Sequence, residues 1–230
     1  RKFGCQPRMS ADLMILAADL GLEPYGVSFH VGSQQREIPA WEAAIAQVQL
    51  LFDSMAKKNI PLQAINMGGG FPADYLVKAN PLPVYAEEIS RYLSQYFGQS
   101  IPEIYLEPGR GLVGEAGVLV SEVVTIAKKT KTDLRRWIYT DVGIFNGLME
   151  TVGESIKYPI YAEKSGDTGD VIIAGPTCDS MDIMYEHFKY QLPLSLESGD
   201  RLYWLSTGAY TASYSAVEFN GFPPLKTYCL

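Results

Sequence analysis

The sequence predicts an α/β first half followed by an all-β second half, and three observations carry that reading. Up to about residue 112, short apolar strands alternate with helical apolar spacing, the pattern of a βα barrel or a doubly wound sheet. Beyond Arg110 the helical spacing gives way to β-rich runs separated by glycine and acidic turns, as in a β-barrel or sandwich. Polar loops follow successive strands of the first half, where the C-terminal face of a TIM-like (β/α)8 barrel would place functional groups. The expected division is residues 1–115 and 116–230.

In chain order, Ser10 reads as an N-cap, Ala11 to Leu20 has helical apolar spacing, and Gly21 reads as the stop. Tyr25 to His30 is a strand that ends in a polar loop. Trp41 to Lys58 is an amphipathic helix with Trp41, Ala44, Ile45, Val48, Leu51, Phe52 and Met55 on one face. Leu62 to Met67 is the next strand and Gly68 to Gly70 its loop. Tyr85 to Phe97 is a third helix, and Glu103 to Leu106 the strand before Glu107. In the second half, Val118 to Ala127, Trp137 to Thr140, Asp170 to Ala174 and Arg201 to Leu205 read as strands. Asp182 reads as a structural cap of the segment Ile183 to Phe188. No internal repeat interrupts this order.

With 230 residues, 47% of them hydrophobic, the chain is large enough for a substantial core and one or two domains. A net charge of −7 without a long basic run argues against nucleic acid or an anionic membrane as the main partner and favours a small cationic one. No apolar stretch approaches the roughly 20 residues of a membrane span, and no secretory signal opens the chain. The three cysteines, Cys5, Cys178 and Cys229, read as reduced thiols in a cytoplasm and have no metal-ligand spacing, so no metal is expected. The chain opens on Arg1-Lys2-Phe3-Gly4, without an initiator methionine, and reads as a piece of a longer protein.

The chemistry concentrates in five ordered motifs. Ser28-Phe29-His30-Val31-Gly32-Ser33-Gln34 offers an imidazole to stack on an aromatic ring and a hydroxyl to reach a phosphate; a core or capping role is the plain alternative for His30. Asn66-Met67-Gly68-Gly69-Gly70-Phe71-Pro72 offers amides that no side chain shields from a phosphate, or simply a flexible turn. Glu107-Pro108-Gly109-Arg110 places a carboxylate for a protonated pyridine nitrogen beside a guanidinium for a phosphate, unless the two pair with each other. Gly175-Pro176-Thr177-Cys178-Asp179-Ser180-Met181-Asp182 puts a thiol and carboxylates in one loop after an apolar strand. A thiol delivers a proton near neutral pH, and a carboxylate beside it holds an ammonium group. Thr207-Gly208-Ala209-Tyr210-Thr211 adds a further hydroxyl. Asp141 closes a strand and enters a glycine loop, as a turn residue or a ligand. Together these groups suit a phosphorylated heteroaromatic cofactor.

In order and wording the motifs resemble the fold-type III pyridoxal-phosphate decarboxylases, the ornithine/diaminopimelate/arginine decarboxylase family, over essentially the whole chain. The resemblance implies the C-terminal part of a pyridoxal 5′-phosphate-binding (β/α)8 barrel followed by a C-terminal β domain. It implies that His30 stacks on the cofactor and that Glu107 holds its pyridine nitrogen. Ser33, Gly68, Gly69, Gly70, Gly109, Arg110 and Tyr210 would bind the cofactor, most of them at its phosphate. Cys178 would protonate Cα after carboxylate loss, and Asp141 and Asp179 would bind the distal amine of the substrate. Cys178 and Asp179 would be presented to a partner subunit's cofactor, in a homodimer with shared sites. The family's cofactor lysine would lie upstream of His30, outside this sequence, so the fragment alone is not expected to be a competent catalyst. Tyr75-Leu76-Val77-Lys78-Ala79-Asn80 has the wording of a cofactor-lysine segment, but it follows the glycine loop and precedes Pro81 and Pro83, which disfavour a central strand.

The expected activity is decarboxylation of L-ornithine, or also L-lysine, to a diamine in polyamine biosynthesis. Two carboxylates at the distal end favour a bare ammonium tail. Diaminopimelate decarboxylase and a non-catalytic decarboxylase-like regulatory protein are the alternatives; the retained Cys178, Asp179, Glu107, Arg110 and glycine loop speak against the latter.

Overall fold

A computed structural model describes residues 2–230, and the chain divides into two compact units. The first comprises the chain up to Pro72 together with Ala79–Leu112; the second comprises Ala73–Lys78 and Val113–Leu230.

The first unit is α/β. Its elements are α1 (Pro7–Asp19), β1 (Gly26–Ser28), α2 (Pro39–Ala56), β2 (Ala64–Asn66), α3 (Leu82–Phe97) and β3 (Glu103–Tyr105), and a helical turn, α4, covers Arg110–Val113. The strands pair in parallel in the order β1-β2-β3, with Val27, Ile65 and Ile104 in register. Parallel neighbours require a crossover, which α2 and α3 supply. The expected face of α2 is the one that packs: Trp41, Ile45, Val48, Leu51 and Met55 are buried. Trp41 meets Phe71 and Tyr85 at 5.3 and 5.7 Å between ring centroids, and Ile65 and Met67 complete this core.

Two local expectations change. α1 begins three residues before Ser10, because Pro7 takes the first helical position, where its missing N–H costs nothing. Gly21 does end the helix: it has φ +81° and donates to Ala18 O, while Leu22 donates to Ala17 O. In α3 the prolines set the start, with Pro81 at the N-cap and Pro83 in the first turn.

The second unit is built of strands and 3-10 turns, apart from the end of α4. Its strands are β4 (Val118–Ala127), β5 (Arg136–Thr140), β6 (Ile160–Ala162), β7 (Thr168–Ala174), β8 (Ile183–Pro193) and β9 (Arg201–Leu205), in the sheet order β6-β9-β4-β5-β7-β8. β4 serves two neighbours. Val118–Glu122 pair with β9, and after an irregularity between Val123 and Thr125 the strand continues along β5. A bulge bends and twists a strand, which lets one long strand join two halves of a sheet. Among the described strands of this unit, only β5 and β7 pair in parallel.

The core of this unit buries Val123, Ile138, Ile173, Met184, Tyr185, Leu202 and Trp204. Three of its polar groups are matched: the Tyr185 hydroxyl donates to Ile156 O, the Tyr190 hydroxyl to Tyr158 O, and the Trp204 indole N–H to Ser121 Oγ. Burial pushes the Tyr185 and Tyr190 hydroxyls well above their ordinary range, so both stay neutral donors. The segment after Asp182 is the start of β8, so Asp182 caps nothing there. Its buried carboxylate instead accepts from Ile144 N, Thr177 N and Thr177 Oγ1, at 2.8, 3.0 and 2.8 Å.

Candidate active site

In the first unit, three loops after three parallel strands meet backbone against backbone. Gly70 O accepts from Gln35 N at 2.8 Å, and Gly68 O accepts from Glu107 N at 2.8 Å. A Cβ at Gly68 would lie 2.7 Å from Phe29 O, one at Gly69 2.6 Å from Glu107 O, and one at Gly70 2.5 Å from Gly32 O. Gly68 and Gly70 also have φ of +62° and +96°, a region that side chains rarely adopt. The triple glycine is therefore a packing requirement, and the flexible-turn alternative fails. Close approach leaves amides bare as well: among the described residues, no acceptor takes the N–H of Gly69 or Gly70.

The side chains predicted for this half gather around those glycines. His30 Nδ1 accepts from Gly32 N at 2.9 Å, which leaves the proton of a neutral ring on Nε2. The ring lies against Gly68 and Gly69, within 3.1 and 3.5 Å of where their Cβ atoms would be. Arg110 is buried at the first position of α4 and donates to Ser33 Oγ at 3.2 Å, so Ser33 and Arg110, 77 residues apart, stand side by side. Gly109 precedes it with φ +24°. Asn66, which carried no role in the sequence reading, ties the group together: its amide donates to Glu107 Oε1 at 2.7 Å while its Oδ1 accepts from Gly68 N at 2.9 Å. Its place at the end of a strand, two residues before the glycines, was the available signal. Lys78 forms an exposed ion pair with Asp74 at 2.9 Å.

The second unit carries a cavity of about 540 Å³ whose lining includes Lys129, Trp137, Tyr139, Asp141, Thr177 and Asp179. Asp141 and Asp179, 38 positions apart in sequence, are thus brought to one cavity. Each is oriented by the backbone: Asp141 Oδ1 accepts from Glu122 N at 2.7 Å, and Asp179 Oδ1 accepts from Met181 N at 2.9 Å. Among the described residues, neither carboxylate is within ion-pair distance of a protein cation. Lys129 is held elsewhere. Its ammonium lies 4.4 Å from the Trp137 ring centroid and donates to the Tyr139 hydroxyl at 3.0 Å.

Cys178 is exposed and does not line that cavity; its N–H and its thiol both donate to Asn220 Oδ1, at 3.0 and 3.1 Å. Tyr210, half-exposed with φ +56°, has its ring tilted against that of Tyr214 at 5.6 Å between centroids. Its loop is fixed within the second unit, where Gly208 N donates to Gly114 O and Thr207 N to Gly117 O. Among the described residues there is no cluster of side chains fit to hold a metal ion, and no helix is long and apolar enough to cross a membrane.

Against known proteins, residues 1–114 match the pyridoxal binding domain of the pyridoxal-dependent decarboxylases. The chain is 32% identical over 222 residues to a lysine/ornithine decarboxylase of Selenomonas ruminantium, covering 96% of this chain and 54% of that protein. It is 32% identical over 197 residues to a diaminopimelate decarboxylase of Staphylococcus aureus strain COL, covering 83% of this chain and 45% of the relative. The crystal structure of a Vibrio vulnificus lysine/ornithine decarboxylase complexed with cadaverine superposes with a TM-score of 0.88 at 30% identity, over 100% of this chain and 61% of that one. The chain thus spans about half the length of the curated relatives it matches.

Proposed function

Since the chain belongs to the pyridoxal-dependent decarboxylases, we propose that the whole protein decarboxylates a diamino acid with an ammonium tail, L-ornithine or L-lysine, to the diamine. The observation that carries the choice of substrate is the cavity of the second unit, where two backbone-oriented carboxylates, Asp141 and Asp179, lack a protein counter-ion. The cavity lining carries three carboxylates, Asp141, Asp179 and Asp182, against one cation, Lys129, a balance that favours a bare ammonium and disfavours a tail that ends in a carboxylate.

The family's cofactor is pyridoxal phosphate, and the first unit fits it: bare amides at Gly69 and Gly70, the Ser33 hydroxyl and the Arg110 guanidinium suit a phosphate dianion. We assign the first unit to the C-terminal part of the pyridoxal-binding (β/α)8 barrel and the second to the C-terminal β domain. When bound, pyridoxal phosphate supplies an electron sink for the pair left at Cα as the carboxylate departs. His30 offers its ring face to the cofactor plane. Glu107, fixed by Asn66, holds the proton on the pyridine nitrogen, which keeps the sink effective. Gly109 lets the turn bring Arg110 to Ser33. Tyr210 is the remaining candidate for a phosphate ligand. Asp141 and Asp179 hold the distal ammonium, and Cys178 delivers the proton to Cα. In this reading Cys178 and Asp179 serve a partner subunit's cofactor, so the active form is a homodimer, working in the cytoplasm on polyamine precursors.

A second reading, diaminopimelate as substrate, has one observation in its favour. Lys129 lines the same cavity and would meet a distal carboxylate if it left Trp137 and Tyr139.

Arg110→Ala in the full-length protein tests the cofactor assignment. Loss of a charge-assisted contact lowers pyridoxal phosphate affinity about ten- to hundredfold, the scale of 1.5–3 kcal/mol. Equilibrium titration that returned the parent affinity would remove Arg110 from the phosphate site.

A further inference from the structure

We infer that Asn220 is a positioning residue for Cys178, holding its thiol where a proton is to be delivered; the inference rests on the proton-donor reading of Cys178. Both hydrogen bonds of Cys178 go to one atom, Asn220 Oδ1, which takes the backbone N–H at 3.0 Å and the thiol at 3.1 Å across 42 residues. A backbone N–H can only donate, so the amide atom facing it is the oxygen, and the sulfur at that same oxygen keeps its proton directed toward it.

Nothing else in the loop does this for Cys178. Thr177 is tied to the Asp182 carboxylate, Asp182 N donates to Asp179 O, and Asp179 accepts from Met181 N. The loop is thus braced on either side of the cysteine, while the cysteine itself is held by one remote side chain.

The segment carrying Asn220 is built to present it. Glu218, Asn220 and Gly221 have φ of +57°, +52° and +81°, which winds the chain into two tight turns closed by Gly221 N to Glu218 O and Phe222 N to Phe219 O. Asparagine tolerates that conformation better than most residues. The segment is anchored on Phe145 at two points: Phe219 packs on its ring at 4.5 Å between centroids, and Ala216 N donates to its carbonyl at 2.6 Å. Phe145 in turn packs against the main core of the second unit. A chain from core to Phe145 to Phe219 to Asn220 therefore ends on the sulfur.

The test uses the full-length holoenzyme with Cys5 and Cys229 replaced by serine, and compares Asn220→Ala, Asn220→Asp and Cys178→Ala. Two quantities are read: the rate at which iodoacetamide alkylates Cys178, and the fraction of turnovers ending in aldehyde with aminated cofactor in place of diamine. Asn220→Ala is expected to raise both about two- to tenfold, the scale of one neutral hydrogen bond. Asn220→Asp keeps an acceptor at the same reach and is expected to return both to the parent values or below. Unchanged alkylation in Asn220→Ala overturns the inference. So does changed alkylation with normal product, when Cys178→Ala gives aldehyde, because the sulfur would then not need holding for its proton to arrive. Equal increases in Asn220→Ala and Asn220→Asp also overturn it, since the turn would then merely be loosened. Normal diamine from Cys178→Ala sinks the proton-donor reading instead, and leaves the alkylation result to judge the contact itself.

Discussion

The two units build their candidate sites in opposite ways. In the first, the cradle is made by backbone pressed against backbone, and the side chains His30, Glu107 and Arg110 hang from loops whose spacing three glycines dictate. In the second, the cavity is lined by residues of β4, β5 and the loop after β7, and backbone amides aim the carboxylates of Asp141 and Asp179. The difference teaches where each unit is fragile: an added methyl should break the first, whereas a changed charge should alter the second without unfolding it.

The largest expected effect is at Gly70. An alanine there meets Gly32 O at 2.5 Å and must hold φ at +96°, so Gly70→Ala costs about 2–4 kcal/mol and lowers the melting temperature of the first unit. Gly21→Ala is the control, since φ is +81° but nothing lies within 4 Å, and it costs about 1–2 kcal/mol. Equal shifts for the two would mean that backbone conformation, and not the close approach of loops, is what the triple glycine serves.

An intermediate effect sharpens the contrast from the other side. Burial pushes the Glu154 carboxyl up, but the amides of His187, Glu186 and Phe188, with the charge of His187, outweigh burial and hold it below its ordinary value. A carboxyl lowered on folding contributes stability that is present above the unfolded value, about 4.3, and lost as pH falls through the folded one. Acid titration of Glu154→Gln, followed by tyrosine and tryptophan fluorescence, should therefore show the second unit unfolding at higher pH than the parent. Coincident acid transitions would deny the carboxylate that role.

Much of this contrast was legible in the sequence, for a physical reason. The helix face of Trp41, Ile45, Val48, Leu51 and Met55 follows from periodicity, and β4 and β9 match their apolar runs to the residue. The glycine loop is legible because positive φ and backbone contact select glycine whatever the rest of the chain does. The strand β8 was missed because its burial alternates irregularly around two register shifts with β7, which blurs a period of two. Asn66 and Asn220 were missed because an amide's partner, 41 or 42 residues away, leaves no local pattern. Asp182 was recognised as structural but given the wrong task, since three donors converging from Ile144 and Thr177 cannot be read from its neighbours alone.

The claim that the cavity of the second unit selects an ammonium tail is tested most directly by competition in the full-length holoenzyme. L-Ornithine, L-lysine and meso-diaminopimelate are offered to the parent and to Asp179→Asn, and kcat/KM is measured for each. The parent should favour ornithine or lysine over diaminopimelate by at least about tenfold, the scale of one charge-assisted contact. Asp179→Asn should lose most of that preference through KM, with kcat for ornithine largely kept. A parent that prefers diaminopimelate, or an Asp179→Asn enzyme with an unaltered profile, would contradict the account.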